Sequence, residues 1–316
     1  MKSREVIVEA PASSANLGPG FDVLALALAN PVDRLTIRRD DDAKPGLRLA
    51  LEEGPSTPAE LAENSAGAVA SKIAKDHGIK SGVTMALQKG VPVGVGLGSS
   101  AASSVCAVIG MNECFDLKLS ATEAIDYAVV GEETASGARH FDNVAAALLG
   151  GVVVVRSAGE VDVTRIGSPK GLGLCVVTPK LDLPKKKTEF ARSLIPKSVN
   201  LKDVTRNVSM AASLVLGFQA GNAGLVGKGM HDFIVEPSRA SMIPGIEKVR
   251  ARALEGGASG VCISGAGPTM LAVFDSEKSE GSVILKAMIS GFKEAGVTAT
   301  GFESRIGGGA RVVRPE

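Results

Sequence analysis

A glycine-rich segment in the first third of the chain constrains the fold more than any other feature. It runs from Val91 to Ser103 and carries Gly94, Gly96 and Gly98 at alternate positions. Such glycines permit positive φ angles and a close approach of the backbone to a ligand. An alanine-rich helix is predicted directly afterwards, and a helix N-terminus offers unpaired N–H donors and partial positive charge to an anion. The segment therefore predicts a loop that binds phosphate.

Two common phosphate-binding motifs do not fit this segment. A P-loop of the form GxxxxGK[ST] requires a lysine, and none occurs between Val91 and Ser103. The dinucleotide motif GxGxxG has a different spacing and follows the first strand of its domain, whereas this loop lies deep in the chain. Ser99 and Ser100 could cap the helix or contact a metal–phosphate group, and the residues alone leave both roles open.

The composition argues against several classes of protein. Lys and Arg total 35 against 34 for Asp and Glu, so the net charge of +1 predicts no nucleic-acid partner. Aromatic residues make up 3% of the 316 residues, which leaves few rings to stack on bases. No apolar run reaches the roughly 18–20 residues of a membrane span, and the alternating N-terminal residues do not form a signal peptide. The four cysteines lack metal-ligand spacing, so we expect buried, reduced thiols in a cytoplasmic protein.

Hydrophobic periodicity predicts strands and helices in both halves of the chain. Strands are predicted at 6–9, 35–38, 47–51, 83–88, 151–156, 172–178, 260–264, 270–274 and 298–303. Helices are predicted at 64–76, 100–114, 121–133, 188–194, 201–219, 246–255 and 281–295, with a further apolar helix after residue 22. The class is therefore α/β or α+β. A stretch rich in turn residues between 157 and 171 predicts a boundary between two domains, 1–165 and 166–316.

Residues 92–102 closely resemble the ATP-binding signature of the GHMP kinases, the superfamily of galactokinases, homoserine kinases, mevalonate kinases and phosphomevalonate kinases. Residues 11–22 (PASSANLGPGFD) and 263–270 (ISGAGPTM) resemble the first and third motifs of the superfamily. The resemblance implies a two-domain α+β fold. Its N-terminal α/β domain resembles domain 2 of ribosomal protein S5, and its C-terminal domain is ferredoxin-like. It also implies an active site between the domains that uses ATP and Mg²⁺.

Within the superfamily, four features are typical of homoserine kinases. They are Asn16 with Asp22, the HxDN string at 140–143, Thr188 with Arg192, and a D-x-[IL]-x-E-P-x-R-like motif that ends at Arg239. Arginine binds carboxylates through two parallel N–H bonds, which suits an amino-acid substrate. The resemblance implies transfer of the ATP γ-phosphoryl group to the side-chain hydroxyl of L-homoserine. The product would be O-phospho-L-homoserine, an intermediate of threonine biosynthesis.

The resemblance also implies roles for single residues. The substrate side comprises Asn16, Asp22, His140, Asn143, Thr188, Arg192, Arg239 and Gly267. The nucleotide side comprises Asn64, Pro92, Gly94, Gly96, Leu97, Gly98, Ser99, Ser100, Ala101 and Ala102, although Asn64 could equally be a helix cap. Mg²⁺ is assigned to Ser100 and Glu132, because this cation prefers oxygen ligands. Catalysis is assigned to Asn143, Asp142, Arg192 and Arg239.

Several alternatives remain open on the sequence alone. Mevalonate kinases place an aspartate base near the position of Asp142 and Asn143. If Asn143 occupies that place, no side-chain base is available, because a neutral amide cannot take a proton. The γ-phosphate would then accept it, and Asp142 could be structural. A kinase for mevalonate or shikimate and a nucleotide-binding sensor without turnover are the rival functions. We also expect a homodimer, and we interpret Lys185, Lys186 and Lys187 as a solvated turn.

Overall fold

Two β-sheets form the framework of the computed structural model, which describes residues 4–52, 54, 57–156, 161–182 and 187–313. The strands are β1 (Arg4–Asn16), β2 (Gly20–Asp40), β3 (Gly46–Leu51), β4 (Gly82–Gln88), β5 (Val152–Arg156), β6 (Asp162–Gly167), β7 (Leu172–Pro179), β8 (Gly260–Ile263), β9 (Met270–Asp275), β10 (Ala299–Arg305) and β11 (Arg311–Val313). The helices are α1 (Ser65–Asp76), α2 (Ser99–Phe115), α3 (Ala121–Ser136), α4 (Phe141–Leu149), α5 (Lys187–Ser193), α6 (Leu201–Ala220), α7 (Ala223–Gly229), α8 (Val235–Arg239), α9 (Ile246–Glu255) and α10 (Gly281–Glu294).

The first sheet has the order β11-β1-β2-β4-β3, and β5 joins β2 to β6 at one side. Its pairs are antiparallel except β3 with β4. Helix α2 packs on β1 and β2 and contacts the other helices of this half. Most of its residues are buried, as expected for a small-residue helix at the centre of a core.

The apolar run after residue 22 forms a strand, so the predicted helix there is wrong. Residues 24–28 are all buried and belong to β2, where Leu24 pairs with Val154 of β5. A continuous apolar run does not by itself distinguish a buried strand from a buried helix. Pairing with β1 on one edge and β5 on the other decides the outcome.

The second sheet has the order β10-β7-β9-β8 and is antiparallel throughout. Helices α9 and α10 pack together beside it, and Phe292, Met288 and Val249 lie in their shared apolar core. This arrangement confirms the predicted two-domain α+β class. Among the described residues, no helix combines the length and the apolar character that a membrane crossing requires.

The last described strand, β11, belongs to the first sheet although it follows the second sheet in the chain. The predicted boundary at 165/166 lies within β6, which pairs with β5, and the second sheet begins at Leu172. After β10 the chain returns to the first sheet, where β11 pairs with β1. The side chain of Arg311 donates to Glu9 Oε2 at 2.8 Å and 3.2 Å. All four cysteines are buried thiols, as predicted.

Candidate active site

A cavity of about 470 Å³ brings the separate sequence motifs together. Of the predicted site residues, the described wall of the cavity includes Asn16, Asp22, Gly94, Gly96, Leu97, Gly98, Ser99, Ser100, Glu132, His140, Asp142, Asn143, Thr188, Arg192 and Arg239. Asn64, Pro92, Ala101, Ala102 and Gly267 are not part of that wall. Residues that lie hundreds of positions apart in the chain thus share one concave surface.

The glycine-rich loop has the backbone conformation that its sequence predicts. Gly94, Gly96 and Gly98 have φ angles of 75°, 90° and 64°, in the region that favours glycine. Helix α2 begins directly after Gly98, so its unpaired N–H groups lie at the end of the loop. The loop can therefore surround an anion with backbone donors.

The three glycines have different neighbours, which gives them different roles. A Cβ atom at Gly94 would meet no atom within 4 Å, so this glycine borders open space. A Cβ atom at Gly96 would lie 2.4 Å from the oxygen of Ser264 and 2.8 Å from that of Gly267. The missing side chain at Gly96 therefore makes room for the turn at 264–267, which the sequence alone does not reveal.

A buried ion pair fixes the start of the glycine-rich loop. Lys89 Nζ donates to the carboxylate of Asp33 and, at 3.0 Å, to the carbonyl oxygen of Ser99. The other carboxylate oxygen of Asp33 accepts from the backbone N–H groups of Gly90 and Val91 at 3.1 Å and 2.9 Å. Strand β2, the start of the loop and the first turn of α2 are thereby joined at one charge pair.

Asn64 caps a helix in this structure. Its Oδ1 atom accepts from the N–H groups of Ala66 and Gly67 at 3.0 Å and 3.3 Å, and its Nδ2 atom donates to the Pro58 oxygen at 2.8 Å. The side chain is buried and its three polar contacts stabilise the start of α1. Its predicted place beside the adenine stays a prediction.

The turn between β8 and β9 binds the first motif through the carbonyl oxygen of Gly265. Asn16 Nδ2 donates to that oxygen at 2.7 Å, and Asn16 Oδ1 accepts from the Asp22 N–H at 3.1 Å. Asn16 and Asp22 both have positive φ angles, 70° and 58°, a conformation that Asn and Asp adopt more readily than most residues. These two residues therefore shape the loop as well as lining the cavity.

An ion pair crosses the cavity wall from the first motif to α5. Both carboxylate oxygens of Asp22 accept from Arg192 Nη2 at 3.0 Å. The guanidinium groups of Arg192 and Arg239 lie 5.2 Å and 5.3 Å from the centre of the Phe21 ring. Sequence reasoning missed Phe21, although it stands next to Asp22 in the motif.

Arg239 is buried and directs two of its donors at backbone oxygens. Its Nη1 atom donates to Gly265 O at 3.1 Å and its Nε atom to Ala191 O at 3.4 Å. Burial and the neighbouring Arg192 lower the pKa of Arg239. A buried cation that is hydrogen-bonded to neutral carbonyls attracts an anion into the cavity.

Asn143 lies between the phosphate loop and α4. Its Oδ1 atom accepts from Ser13 Oγ at 2.9 Å, and its backbone N–H donates to Asp142 Oδ1 at 2.7 Å. A Cβ atom at Gly98 would lie 2.9 Å from Asn143 Oδ1, so the amide packs directly on the loop. Ser13 fixes the orientation of this amide, and sequence reasoning did not identify it.

Asp142 is an unusual carboxyl group because it is almost completely buried. Burial and the nearby Asp22 carboxylate raise the pKa of Asp142 to about 6. The hydrogen bond from the Asn143 N–H and the charge of His140 oppose this rise. A large part of the Asp142 population therefore changes protonation between weakly acidic and neutral pH.

Glu132 has the environment of a metal ligand. Its Oε1 atom is buried and has no hydrogen-bond partner among the described residues, while Oε2 lies 3.6 Å from His140 Nδ1. Burial lowers the pKa of His140, but contact with Glu132 outweighs this and the net change is upward. Ser100 lines the same cavity, and these two oxygen donors fit Mg²⁺, which keeps few protein ligands beside phosphates. The described residues contain no cluster of three His, Cys, Asp or Glu side chains that could hold a metal without other ligands.

The predicted solvated turn at the lysine run is wrong for its last residue. Lys187 begins α5, is 6% exposed and lines the cavity, while Lys185 and Lys186 lie outside the described residues. Its Nζ atom donates to the carbonyl oxygen of Gly267. Lys187 and Ala191, one helical turn apart, are the buried residues of α5, and this helical phase turns the lysine inward.

Replacing Gly94 and Gly96 by alanine should separate ligand contact from loop packing. At Gly94 the methyl group meets no atom within 4 Å, although the φ of 75° strains any residue other than glycine. We therefore expect a folded, slightly destabilised protein with about tenfold weaker binding of an ATP analogue. At Gly96 the methyl group also collides with the backbone of the 264–267 turn, so we expect a larger fall in melting temperature. Calorimetric titration and thermal unfolding of both variants test this. Unchanged nucleotide affinity in Gly94→Ala would remove Gly94 from the phosphate contact.

Asp142→Asn should stabilise the protein at neutral pH. The pKa of Asp142 is raised from 3.8 to about 6, so the stability that its proton provides is complete below pH 3.8 and lost as pH rises through about 6. We expect the variant to exceed the wild type by up to about 3 kcal/mol above pH 7 and by little near pH 4. Urea unfolding at several pH values measures the gap. A gap that does not change with pH contradicts the assignment.

Comparison with known proteins agrees with this geometry. The family "GHMP kinases N terminal domain" matches residues 64–151, and "GHMP kinases C terminal" matches residues 214–294. The chain is similar to the homoserine kinase of Thermoplasma volcanium, with 38% identity over 99% of this chain and 98% of that protein. The homoserine kinase of Natronomonas pharaonis is 39% identical over 97% of this chain and 99% of its own length.

A solved structure gives the same result in three dimensions. The homoserine kinase from Cytophaga hutchinsonii superposes with a TM-score of 0.89 and 34% identity, over 98% of this chain and 97% of that one. The match therefore includes nearly the whole of both chains. The chain belongs to the homoserine kinase family of the GHMP kinases.

Proposed function

We propose that this kinase transfers the γ-phosphoryl group of ATP to the side-chain hydroxyl of L-homoserine. One observation carries the proposal: the Asp22–Arg192 ion pair and the buried Arg239 line the same cavity as the glycine-rich loop. Homoserine carries an ammonium, a carboxylate and a hydroxyl on four carbons. Asp22 supplies the negative partner for the ammonium, and Arg192 with Arg239 supply the positive partners for the carboxylate.

The Asp22 carboxylate separates this substrate from the rivals. Mevalonate and shikimate each carry a carboxylate and hydroxyls but no ammonium group. In a site for either compound, Asp22 would pair only with Arg192, because the substrate would bring no positive charge to it. An amino-acid substrate can replace each half of the existing ion pair with a charge of its own, so neither Asp22 nor Arg192 is left unpaired when the substrate binds.

Asn143 is proposed to position the hydroxyl that attacks the phosphorus. Its amide is oriented by Ser13 and packs on the glycine-rich loop, which supports a position between the ATP phosphates and the substrate hydroxyl. A neutral amide cannot accept the hydroxyl proton. We assign that proton to an oxygen of the transferred phosphoryl group, and we assign Asp142, which holds the Asn143 backbone, a positioning role. Catalysis then comes mainly from orientation and charge stabilisation.

Glu132 and Ser100 would hold Mg²⁺, as the buried, unpartnered oxygen of Glu132 supports. When bound, the cation neutralises charge on the ATP phosphates. His140 contacts the same carboxylate and would hold it in place. The homodimer, the cytoplasmic location and the absence of a nucleic-acid partner stay predictions from the sequence.

A substrate screen tests the proposed function directly. ADP release is measured with ATP, Mg²⁺ and, separately, homoserine, mevalonate, shikimate and galactose. We expect turnover with L-homoserine far above the others, and phosphorus NMR should identify O-phosphohomoserine as the product. Turnover with mevalonate in place of homoserine would overturn the substrate. Nucleotide binding without turnover on any alcohol would favour a sensor.

Glu132→Gln tests the metal assignment while keeping the size of the side chain. Removing the charge should lower activity by at least about tenfold at low Mg²⁺, with partial recovery as Mg²⁺ is raised. Calorimetry with an ATP analogue should show the same weakened Mg²⁺ dependence without turnover. The exposed Glu277, which lies outside the cavity, provides a matched control, because Glu277→Gln removes one negative charge and should keep the wild-type Mg²⁺ dependence. The same dependence in both variants would make Glu132 a structural carboxylate.

A further inference from the structure

The glycine-rich loop is a phosphate site that has no cation of its own. No lysine or arginine occurs between Val91 and Ser103. The preceding lysine, Lys89, is buried and bonded to Asp33, Ser99 and Ser103. Phosphoryl transfer nevertheless develops negative charge on the oxygens of the transferred group, which protein cations commonly stabilise. A protein cation that acts here beside the proposed Mg²⁺ must therefore come from another part of the fold.

Lys187 lies where such a cation is needed. It lines the cavity, and its ammonium group donates to Gly267 O. That same oxygen would lie 2.8 Å from a Cβ atom at Gly96, so one carbonyl separates the ammonium from the phosphate loop. The helix that carries Lys187 also carries Thr188 and Arg192 on the substrate side of the cavity.

The charge of Lys187 lacks a carboxylate partner among the described residues. Among the described residues its ammonium donates to a backbone oxygen, although an ammonium group has three N–H donors. The neighbouring charge that acts on it is the Arg239 guanidinium, another cation. Two buried positive groups near each other repel, and an anion that binds beside Lys187 offsets that penalty.

We propose that Lys187 binds the phosphoryl group as it passes from ATP to the substrate hydroxyl. The inference rests on the proposed function and assigns Lys187 a part in its chemical step. In that step the bond between the γ-phosphorus and the bridging oxygen of ADP breaks while the hydroxyl oxygen bonds to the phosphorus. The hydroxyl proton moves to a phosphoryl oxygen, and the products are ADP and the phosphate ester. The lysine loses no proton and forms no covalent bond.

Lys187→Met tests the proposal, because it keeps the length of the side chain and removes its charge. We expect kcat with homoserine to fall by ~10²-fold, while the KM for homoserine and the affinity for an ATP analogue change less than about threefold. Lys187→Arg should recover part of kcat. The exposed Lys180 gives a matched control, since Lys180→Met removes one positive charge outside the cavity and should keep wild-type kinetics.

Homoserine amide distinguishes the phosphoryl group from the substrate carboxylate as the anion that Lys187 binds. If Lys187 acts on the phosphoryl group, Lys187→Met should reduce kcat with homoserine and with its amide by the same factor. A rise in KM confined to homoserine would assign Lys187 to the carboxylate and overturn the proposal. Wild-type kcat in Lys187→Met would also overturn it. If the wild type itself does not phosphorylate homoserine, the proposed function fails first.

The pH dependence of the wild type provides a measurement that does not depend on a variant folding. Burial, with repulsion from Arg239, lowers the pKa of Lys187 from 10.5 to about 8. We therefore expect kcat/KM to fall as pH rises through about 8, and this fall should be absent in Lys187→Met and moved upward in Lys187→Arg. The other titratable groups around the cavity are the same in the wild type and in both variants. They are Asp22, Glu132, Glu133, His140, Asp142, Glu189, Arg192 and Arg239. A wild-type profile with no fall in this range contradicts the proposal.

Discussion

The carbonyl oxygen of Gly265 joins the two halves of the active site. It accepts hydrogen bonds from Asn16 in the first motif and from Arg239 in the second half of the chain. Two residues further on, the carbonyl oxygen of Gly267 accepts from Lys187 and packs against Gly96. Because this turn is held from several sides, the phosphate loop and the substrate side keep one relative position. Positioning of this kind is the main contribution that a protein makes to phosphoryl transfer.

The charged residues near the cavity fall into two groups. One pair fixes the backbone of the glycine-rich loop, and the others line the cavity. Lys89 and Asp33 neutralise each other beneath the loop and fix its backbone, so they take no part in lining the cavity. Backbone N–H groups then remain for the proposed phosphate contacts, and Lys187, Arg192 and Arg239 on α5 and α8 supply the cations of the described cavity wall. Under the proposed function, one positively charged wall would serve both the substrate and the phosphoryl group.

The sequence predicts the local features of this protein well because they depend on nearby residues. Helix α9 was predicted over its observed residues, and positive φ angles at Gly94, Gly96 and Gly98 follow from the motif itself. The failures concern tertiary contacts. The apolar run in β2 forms a strand because β1 and β5 pair with it, and Lys187 is buried because its phase on α5 turns it inward. Ser13 and Phe21 acquire roles only through partners far away in the chain.

The return of β11 to the first sheet has a consequence for folding during synthesis. Glu9 and Arg311 are 302 residues apart, and their contact closes the edge of a sheet whose other strands are made much earlier. A ribosome releases the chain from its N-terminus, so the first sheet must wait with β1 as an open edge until β11 has left the exit tunnel. An open strand edge can pair with other chains. The first sheet is therefore completed by a strand that is made after the whole of the second sheet.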